Sequence, residues 1–159
     1  KVYKPVCSAN SPLVLIGVLK GSYLFLADLA RAISDQGVPC IIDFLYVSSY
    51  AGTQSTGEVR VMLDLRTMLS GRHALIVEDI VDSGLTLNYL RKNLAARHPA
   101  SLEVCALLLK EGMQKVEPDL RYVGFRLPDE FVVGYGLDVA ERYRNLDDLR
   151  VFVGPESGH

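Results

Sequence analysis

Five polar side chains that could do chemistry follow one short apolar run near the middle of the chain. The run covers residues 74–77, and the positions after it carry Glu78, Asp79, Asp82, Ser83 and Thr86. Glu78 and Asp79 are paired carboxylates, which suit sugar hydroxyl groups or a hydrated Mg²⁺. Residues 82–86 offer backbone N–H groups, hydroxyl groups and the start of a helix, a combination that favours phosphate.

These residue types also have a plain structural explanation. A serine before a helix is often only its N-cap, and acids near a helix start suit the helix dipole. Three acids so close together are harder to explain in that way, because clustered carboxylates repel and a cation or ligand hydroxyl groups would relieve the repulsion. Ligands of open α/β sheets bind at the carboxyl ends of strands, so we expect a ligand site after residue 77.

The elements that must position this site follow from the hydrophobic pattern. Apolar runs alternate with helical patterns along the chain, which indicates an α/β fold with a mainly parallel sheet. Helices are predicted over residues 23–36 and 84–97, where apolar residues recur at helical spacing. Residues 48–57 are small and polar and predict a mobile loop. Strands are predicted over residues 13–19, 40–47, 58–64, 74–77, 102–109, 122–125, 131–134 and 151–153.

Length and composition narrow the possible classes of protein. The 159 residues predict one domain over residues 1–159, and we expect N-terminal residues to be missing because a loop-like segment directly precedes a central strand. A net charge of −2 argues against a general nucleic-acid binder, and no long apolar run predicts a membrane span. Three isolated cysteines predict reduced thiols rather than a disulfide framework or a zinc site: Cys7, Cys40 and Cys105.

Residues 74–86 closely resemble the phosphoribosyl pyrophosphate motif of the type I phosphoribosyltransferases, and within them that of the hypoxanthine-guanine phosphoribosyltransferases. Further segments resemble the same family in the same order. They are a pyrophosphate loop (18–22), a mobile catalytic loop (48–50 with 54–57), a base-reading lysine (109–110) and a purine-pocket segment (131–138, then Tyr143 and Arg144). The resemblance spans residues 13–153, and ordered matches are more specific than a single motif.

The resemblance implies a central, mainly parallel sheet flanked by helices, with a small hood over the active site. It implies that N9 of a 6-oxopurine attacks C1′ of phosphoribosyl pyrophosphate, giving IMP or GMP and pyrophosphate in purine salvage, with Mg²⁺ as cofactor. The choice among hypoxanthine, guanine and xanthine stays open. A homodimer or homotetramer in the cytoplasm is expected, and a peroxisome-like organelle stays open if C-terminal residues are missing.

The resemblance also assigns roles to single residues. Asp82 would be the general base near purine N7, and Ser49 and Tyr50 would close over the reaction and exclude water. Phosphoribosyl pyrophosphate would be bound by Lys20, Gly21, Glu78, Asp79, Asp82, Ser83, Gly84, Leu85, Thr86 and Arg144. The purine would be bound by Lys110, Phe131, Val132 and Asp138. Magnesium would be held by Glu78, Asp79 and Asp138.

Two residues depart from the pattern of the family. Glu130 is found where relatives often carry a basic residue, which would weaken affinity nearby. Ser22 replaces a frequent glycine in the pyrophosphate loop, and its hydroxyl could contact phosphate. In the same loop the resemblance implies a cis peptide bond between Leu19 and Lys20.

Three other functions remain to be weighed. A non-enzymatic regulator on the same fold would sense a nucleotide or phosphoribosyl pyrophosphate, and another phosphoribosyltransferase would use a different base. A phosphohydrolase usually presents Asp-x-Asp at a strand end, whereas two residues separate Asp79 from Asp82 here. No Walker A sequence occurs either. Lys110, together with Phe131 and Asp138, favours a purine.

Overall fold

The structure, a computed structural model, describes residues 3–49 and 59–154. The elements in these residues are β1 (Leu13–Leu19), α1 (Tyr23–Asp35), β2 (Cys40–Ser49), β3 (Val59–Leu63), β4 (His73–Val81), α2 (Leu85–Ala95), β5 (Ser101–Lys110), β6 (Tyr122–Leu127), β7 (Val132–Val133) and β8 (Arg150–Val151). One sheet has the strand order β3-β2-β1-β4-β5-β6, in which only β2 and β3 are antiparallel neighbours. Strands β7 and β8 form a small antiparallel ribbon. The predicted α/β class with a mainly parallel sheet is therefore confirmed.

Strand β1 lies between β2 and β4, as expected for a continuous apolar run that must be buried on both faces. Its side chains alternate between two core clusters, because successive residues of a strand point to opposite faces. Leu13 and Leu15 pack in the cluster that contains Leu26 and Ala30 of α1. The other cluster joins Val14, Ile16 and Val18 of β1 to Leu87, Leu90 and Leu94 of α2. The two helices therefore cover opposite faces of the sheet.

The ribbon of β7 and β8 supplies the expected hood at the carboxyl edge of the sheet. Residues 134–149 connect its two strands and pack against the loop that follows β1. A Cβ atom added at Gly136 would lie 2.1 Å from the carbonyl oxygen of Gly21, so only glycine allows this close approach. Gly136 also has a φ of 103°, which glycine adopts readily.

The largest difference from the predicted elements concerns β4. The strand was expected to end at residue 77, before the polar residues, but it continues to Val81. Glu78 pairs in register with Ala106 and Ile80 pairs with Leu108 of β5, so the parallel ladder passes through the carboxylates. Glu78 and Asp79 consequently lie on a rigid strand rather than in a loop.

Other predictions are confirmed with small shifts at the ends of elements. Strand β3 is an edge strand with intermediate and exposed side chains, as predicted for a half-exposed strand. All three cysteines are free thiols, and Cys7 and Cys105 are buried. None of the helices in the described part of the chain is long and apolar enough to cross a membrane.

Candidate active site

The carboxylates of Glu78 and Asp79 lie at the carboxyl end of β4, where the strand brings them beside the loop after β1. Burial, and then the neighbouring charge of Asp79, raises the pKa of Glu78 well above its usual range. Burial also raises the pKa of Asp79, although backbone N–H groups and Arg144 oppose that rise. A buried acid beside a half-buried one is a costly arrangement that a cation or sugar hydroxyl groups would relieve.

Residues 82–86 form a turn that leads into α2, and Gly84 is the N-cap of the helix. Gly84 has a φ of 80°, and an added Cβ atom would lie 2.8 Å from the carbonyl oxygen of Val116, so the position favours glycine twice over. The Ser83 hydroxyl accepts a hydrogen bond from the N–H of Leu85 at 3.3 Å. A cavity of about 120 Å³ opens over this turn and is lined in part by Glu78, Asp82, Ser83, Gly84 and Thr86.

The segment after β5 holds this turn in place. The backbone N–H of Lys115 donates to the carbonyl oxygen of Ser83 at 2.9 Å. The Gln114 side chain donates to the carbonyl oxygens of Lys110 and Asp82, the latter at 3.1 Å. One amide thus joins the end of β5 to the start of the turn, and no pattern in the sequence predicted this contact.

The loop after β1 has the predicted cis peptide bond between Leu19 and Lys20. A Cβ atom at Gly21 would lie 1.7 Å from Oδ2 of Asp79, so this glycine lets the loop reach the carboxylates. The suggestion that the Ser22 hydroxyl contacts phosphate is wrong. Ser22 is fully buried and donates to the carbonyl oxygen of Val18 at 2.6 Å, so its hydroxyl already has a partner inside the protein.

Arg144 reaches the same edge from the hood, where it contacts two carboxylates. Its Nη1 atom donates to the carbonyl oxygen of Gly136 at 2.8 Å, and its Nη2 atom lies 3.2 Å from Oδ1 of Asp138 and 3.1 Å from Oε1 of Glu141. Glu141 was not predicted as a site residue. Its spacing of three residues from Arg144 was the only signal in the sequence.

A second cavity, of about 180 Å³, lies between Lys110 and the hood. Nζ of Lys110 lies 3.6 Å from Oδ2 of Asp82 and 3.2 Å from Oδ1 of Asp129, and the side chain is mostly buried. Phe131 is half-exposed at the rim and meets Phe152 edge to face. The cavity is lined by Asp79, Ile80, Asp82, Lys110, Phe131, Val132, Leu137 and Asp138.

The third and largest cavity, of about 510 Å³, joins the loop after β1 to the hood. Its wall includes Lys20, Gly21, Glu78, Asp79, Thr86, Asp138 and Arg144. It shares Glu78, Ile80 and Thr86 with the cavity over the turn, and Asp79, Ile80 and Asp138 with the Lys110 cavity. The three cavities therefore form one continuous cleft.

Most of the predicted site residues meet in this cleft, although three do not line it or fall outside the described residues: Ser49, Leu85 and Tyr50. Ser49 is the last residue of β2, and Tyr50 lies outside the described residues, as does most of the predicted mobile loop. Leu85 opens α2. Among the described residues no three His, Cys, Asp or Glu side chains converge as a metal site.

Comparison with known proteins decides the family. Residues 5–140 match the phosphoribosyl transferase domain. The chain belongs to the phosphoribosyltransferase family. This result confirms the resemblance to type I phosphoribosyltransferases that the motifs indicated.

Curated relatives and solved structures point to one branch of this phosphoribosyltransferase family. The chain is 54% identical over 135 residues to the hypoxanthine-guanine phosphoribosyltransferase of Mycobacterium avium, a match that covers 84% of this chain and 65% of that protein. It is 50% identical to the enzyme of the same name from Crithidia fasciculata, covering 91% of this chain and 70% of the relative. The hypoxanthine phosphoribosyltransferase of Trypanosoma cruzi, solved with the product IMP, superposes with a TM-score of 0.90 at 47% identity, covering 96% of this chain and 82% of that one.

Proposed function

We propose that this chain transfers the 5-phosphoribosyl group of phosphoribosyl pyrophosphate to N9 of hypoxanthine or guanine, giving IMP or GMP and pyrophosphate in purine salvage. The observation that carries the proposal is the continuous cleft: a phosphate-binding turn, a carboxylate pair, two cations and a lysine-lined pocket adjoin one another. The relatives named for this reaction support it. Residues 1–159 would form one such domain.

In this mechanism the N9–C1′ bond forms as the bond from C1′ to the pyrophosphate oxygen breaks. Catalysis then consists of alignment and of neutralising the charge on the leaving group. The turn of Ser83, Gly84, Leu85 and Thr86 holds the 5′-phosphate with N–H groups and hydroxyl groups. Lys20, Gly21 and Arg144 hold the pyrophosphate.

Asp82 takes up the proton that the purine loses, and so serves as the general base. Its Oδ2 atom faces the cavity of Lys110, and both residues line that pocket, which supports this assignment. Lys110 donates to O6 of the base, the half-exposed ring of Phe131 stacks on it, and Val132 meets its edge. Asp138 borders both the base and the pyrophosphate sides of the cleft.

Glu78 and Asp79 bind the ribose hydroxyl groups, directly or through metal-bound water, and the donor set suits Mg²⁺. Magnesium binds through one or two carboxylates together with substrate phosphates, so a protein cluster of three ligands is not required. When bound, Mg²⁺ would neutralise charge on the leaving pyrophosphate. Asp138 is the third proposed ligand, although its carboxylate is engaged by Arg144.

Closure and assembly complete the proposal. Ser49 and Tyr50 close over the bound substrates and keep water from the activated sugar. The chain forms a homodimer or homotetramer in the cytoplasm, with no role for nucleic acid or a membrane. A structural study of the Trypanosoma cruzi relative concerns how its C-terminal region affects its oligomeric state, so assembly is worth testing here by light scattering.

Initial rates with four bases test the proposal. Hypoxanthine and guanine should give IMP and GMP, each dependent on both phosphoribosyl pyrophosphate and Mg²⁺, and adenine should react very poorly. The rate with xanthine decides whether the pocket accepts a third 6-oxopurine. If phosphoribosyl pyrophosphate binds but no base reacts, the chain is a regulator on this fold. If adenine reacts as fast as hypoxanthine, the base assignment fails.

A further inference from the structure

Glu141 bridges both cationic side chains that line the largest cavity. Its Oε2 atom lies 2.9 Å from Nζ of Lys20, and its Oε1 atom lies 3.1 Å from Nη2 of Arg144. Lys20 and Glu141 are 121 residues apart in the chain, so the fold itself brings the carboxylate to this point. The two oxygens of one carboxylate thus contact the two cations at the same time.

The turn that carries Glu141 presents its carboxylate toward the cations. Ala140 and Glu141 have positive φ values of 49° and 66°, and the N–H of Glu141 donates to Oδ2 of Asp138 at 2.8 Å. Asp138 also forms an ion pair with Arg144, so its carboxylate contacts both the turn that carries Glu141 and one of the two cations.

We propose that Glu141 is an internal substitute for pyrophosphate. In the ligand-free enzyme its carboxylate occupies Lys20 and Arg144. It leaves them when the pyrophosphate group enters, and returns as that group departs. This inference rests on the proposed role of Lys20 and Arg144 as the pyrophosphate-binding cations.

The energetics allow such an exchange. The Glu141 side chain is 64% exposed, so it can swing into solvent without opening the core. Exposed ion pairs are individually weak, so the two that Glu141 makes are small beside the attraction of two cations for a multiply charged anion. Because Glu141 occupies the two cations in the ligand-free enzyme, its competition lowers the fraction of sites open to pyrophosphate and so chiefly slows its association.

Calorimetric titration with inorganic pyrophosphate, at fixed Mg²⁺ and without a purine, tests the exchange on the full chain. Glu141→Gln should bind pyrophosphate about 2- to 30-fold more tightly than the wild type, the range expected for losing two exposed ion pairs. Glu141→Asp is too short to reach both cations and should show a smaller gain. Stopped-flow measurements should show faster pyrophosphate association with Glu141→Gln, and the gain should shrink in high salt.

Asp148→Asn is the matched control, because it removes one carboxylate from an exposed ion pair, with Arg150 at 2.8 Å, on the same connection of the hood. Its pyrophosphate affinity should equal that of the wild type. An equal gain in this control would mean a general charge effect and would overturn the inference. So would unchanged or weaker binding by both Glu141 variants. If the wild type itself binds no pyrophosphate, the proposed role of Lys20 and Arg144 fails and the inference fails with it.

Discussion

The turn over residues 82–86 offers an anion mainly backbone N–H groups, whereas Lys20 and Arg144 offer two full positive charges. The turn is held by backbone hydrogen bonds from the segment after β5, in which the N–H of Lys115 donates to the carbonyl oxygen of Ser83. The two cations are instead paired with carboxylates, because Glu141 contacts both of them and Asp138 contacts Arg144. Of the two proposed anion sites, the turn is ready before a ligand arrives, whereas the two cations must exchange partners.

The difference has a consequence for ligand binding. A site built from N–H dipoles and hydroxyl groups makes hydrogen bonds of fixed geometry, and salt screens these little. A site built from exposed charges is strongly screened, since the Debye length is about 8 Å at physiological ionic strength. We therefore expect the 5′-phosphate to anchor the substrate, and the pyrophosphate end to respond to salt and to competing carboxylates.

The largest effect should come from Asp82, the first residue of the turn and the proposed general base. Asp82→Asn keeps the shape of the turn but cannot accept a proton from the purine. Its kcat should fall by roughly 10²- to 10⁴-fold, the usual loss for a general base. Binding of phosphoribosyl pyrophosphate, measured by calorimetry, should stay nearly intact. A kcat within about threefold of the wild type, with single-turnover chemistry shown to be rate-limiting, would remove Asp82 from the role of base.

The next effect concerns Lys110, which links the purine pocket to the turn through its 3.6 Å contact with Asp82. An ammonium group has only donors, so it suits the carbonyl at C6 of hypoxanthine and opposes the amino group of adenine. Lys110→Gln should lower kcat/KM for hypoxanthine by about 5- to 150-fold, the cost of one unpaired buried group. The value for adenine should fall much less.

The kcat/KM values for hypoxanthine and adenine are measured for the wild type and for Lys110→Gln at one Mg²⁺ concentration. They give the ratio of kcat/KM for the two bases in each protein. Lys115→Gln is a control, because the contact of Lys115 with the turn runs through its backbone N–H. If the ratio is the same in Lys110→Gln as in the wild type, another group selects the base.

A smaller effect should separate the two anion sites directly. Lys20→Gln should weaken binding of inorganic pyrophosphate by about 2- to 13-fold in low salt, and the loss should fade as salt rises. Ser83→Ala should weaken binding of ribose 5-phosphate by a similar factor that changes little with salt. Both affinities can be measured by calorimetry across one salt series. If the two losses of affinity depend equally on salt, the two sites do not differ in the way that backbone dipoles and full charges should.

The parts of the site that could be predicted from sequence are those that depend on contiguous residues. Strand β1 was predicted with its observed bounds, because a run buried on both faces has no polar interruption. The turn before α2 was predicted because its acids, hydroxyl groups and glycine follow one another. Strand β4 was predicted too short, since Glu78 and Asp79 read as the end of a strand until pairing with β5 is known.

Contacts between distant segments could not be predicted in this way. The bridge from Glu141 to Lys20 joins two loops whose approach depends on Gly21 and Gly136, and no local pattern encodes it. The contact of Asp129 with Lys110 is of the same kind. The partner of the Ser22 hydroxyl was missed for a different reason: a serine four residues after Val18 can bond back to its own strand, and exposure decides which partner it takes.

The smallest expected effect concerns Glu78, which lines the cavities of both anion sites. Burial raises its pKa in the folded protein well above the ordinary 4.5 that it has when unfolded. As pH rises from 4.5 toward the raised pKa of the folded protein, the unfolded chain loses the proton while the folded chain keeps it. This group therefore lowers the free energy of unfolding progressively with rising pH. Glu78→Gln has no such proton to lose, and its gain in stability should therefore be larger at pH 8 than at pH 5.

Thermal unfolding of the ligand-free protein in a chelator, at both pH values, measures this gain. For a chain of this size each kcal/mol corresponds to about 2–4 °C in Tm. Glu111→Gln is the control. The Glu111 carboxylate is exposed, and its ion pair with Arg126 is long, at 3.9 Å, so its loss should change Tm little at either pH. The same Glu78→Gln protein should bind phosphoribosyl pyrophosphate and Mg²⁺ more weakly, since the carboxylate that destabilises the empty cleft is the one proposed to hold ribose and metal. Two outcomes would contradict the idea that the buried Glu78 carboxyl destabilises the ligand-free protein. One is a Tm of Glu78→Gln below that of the wild type at pH 8, and the other is a Tm difference that is the same at both pH values.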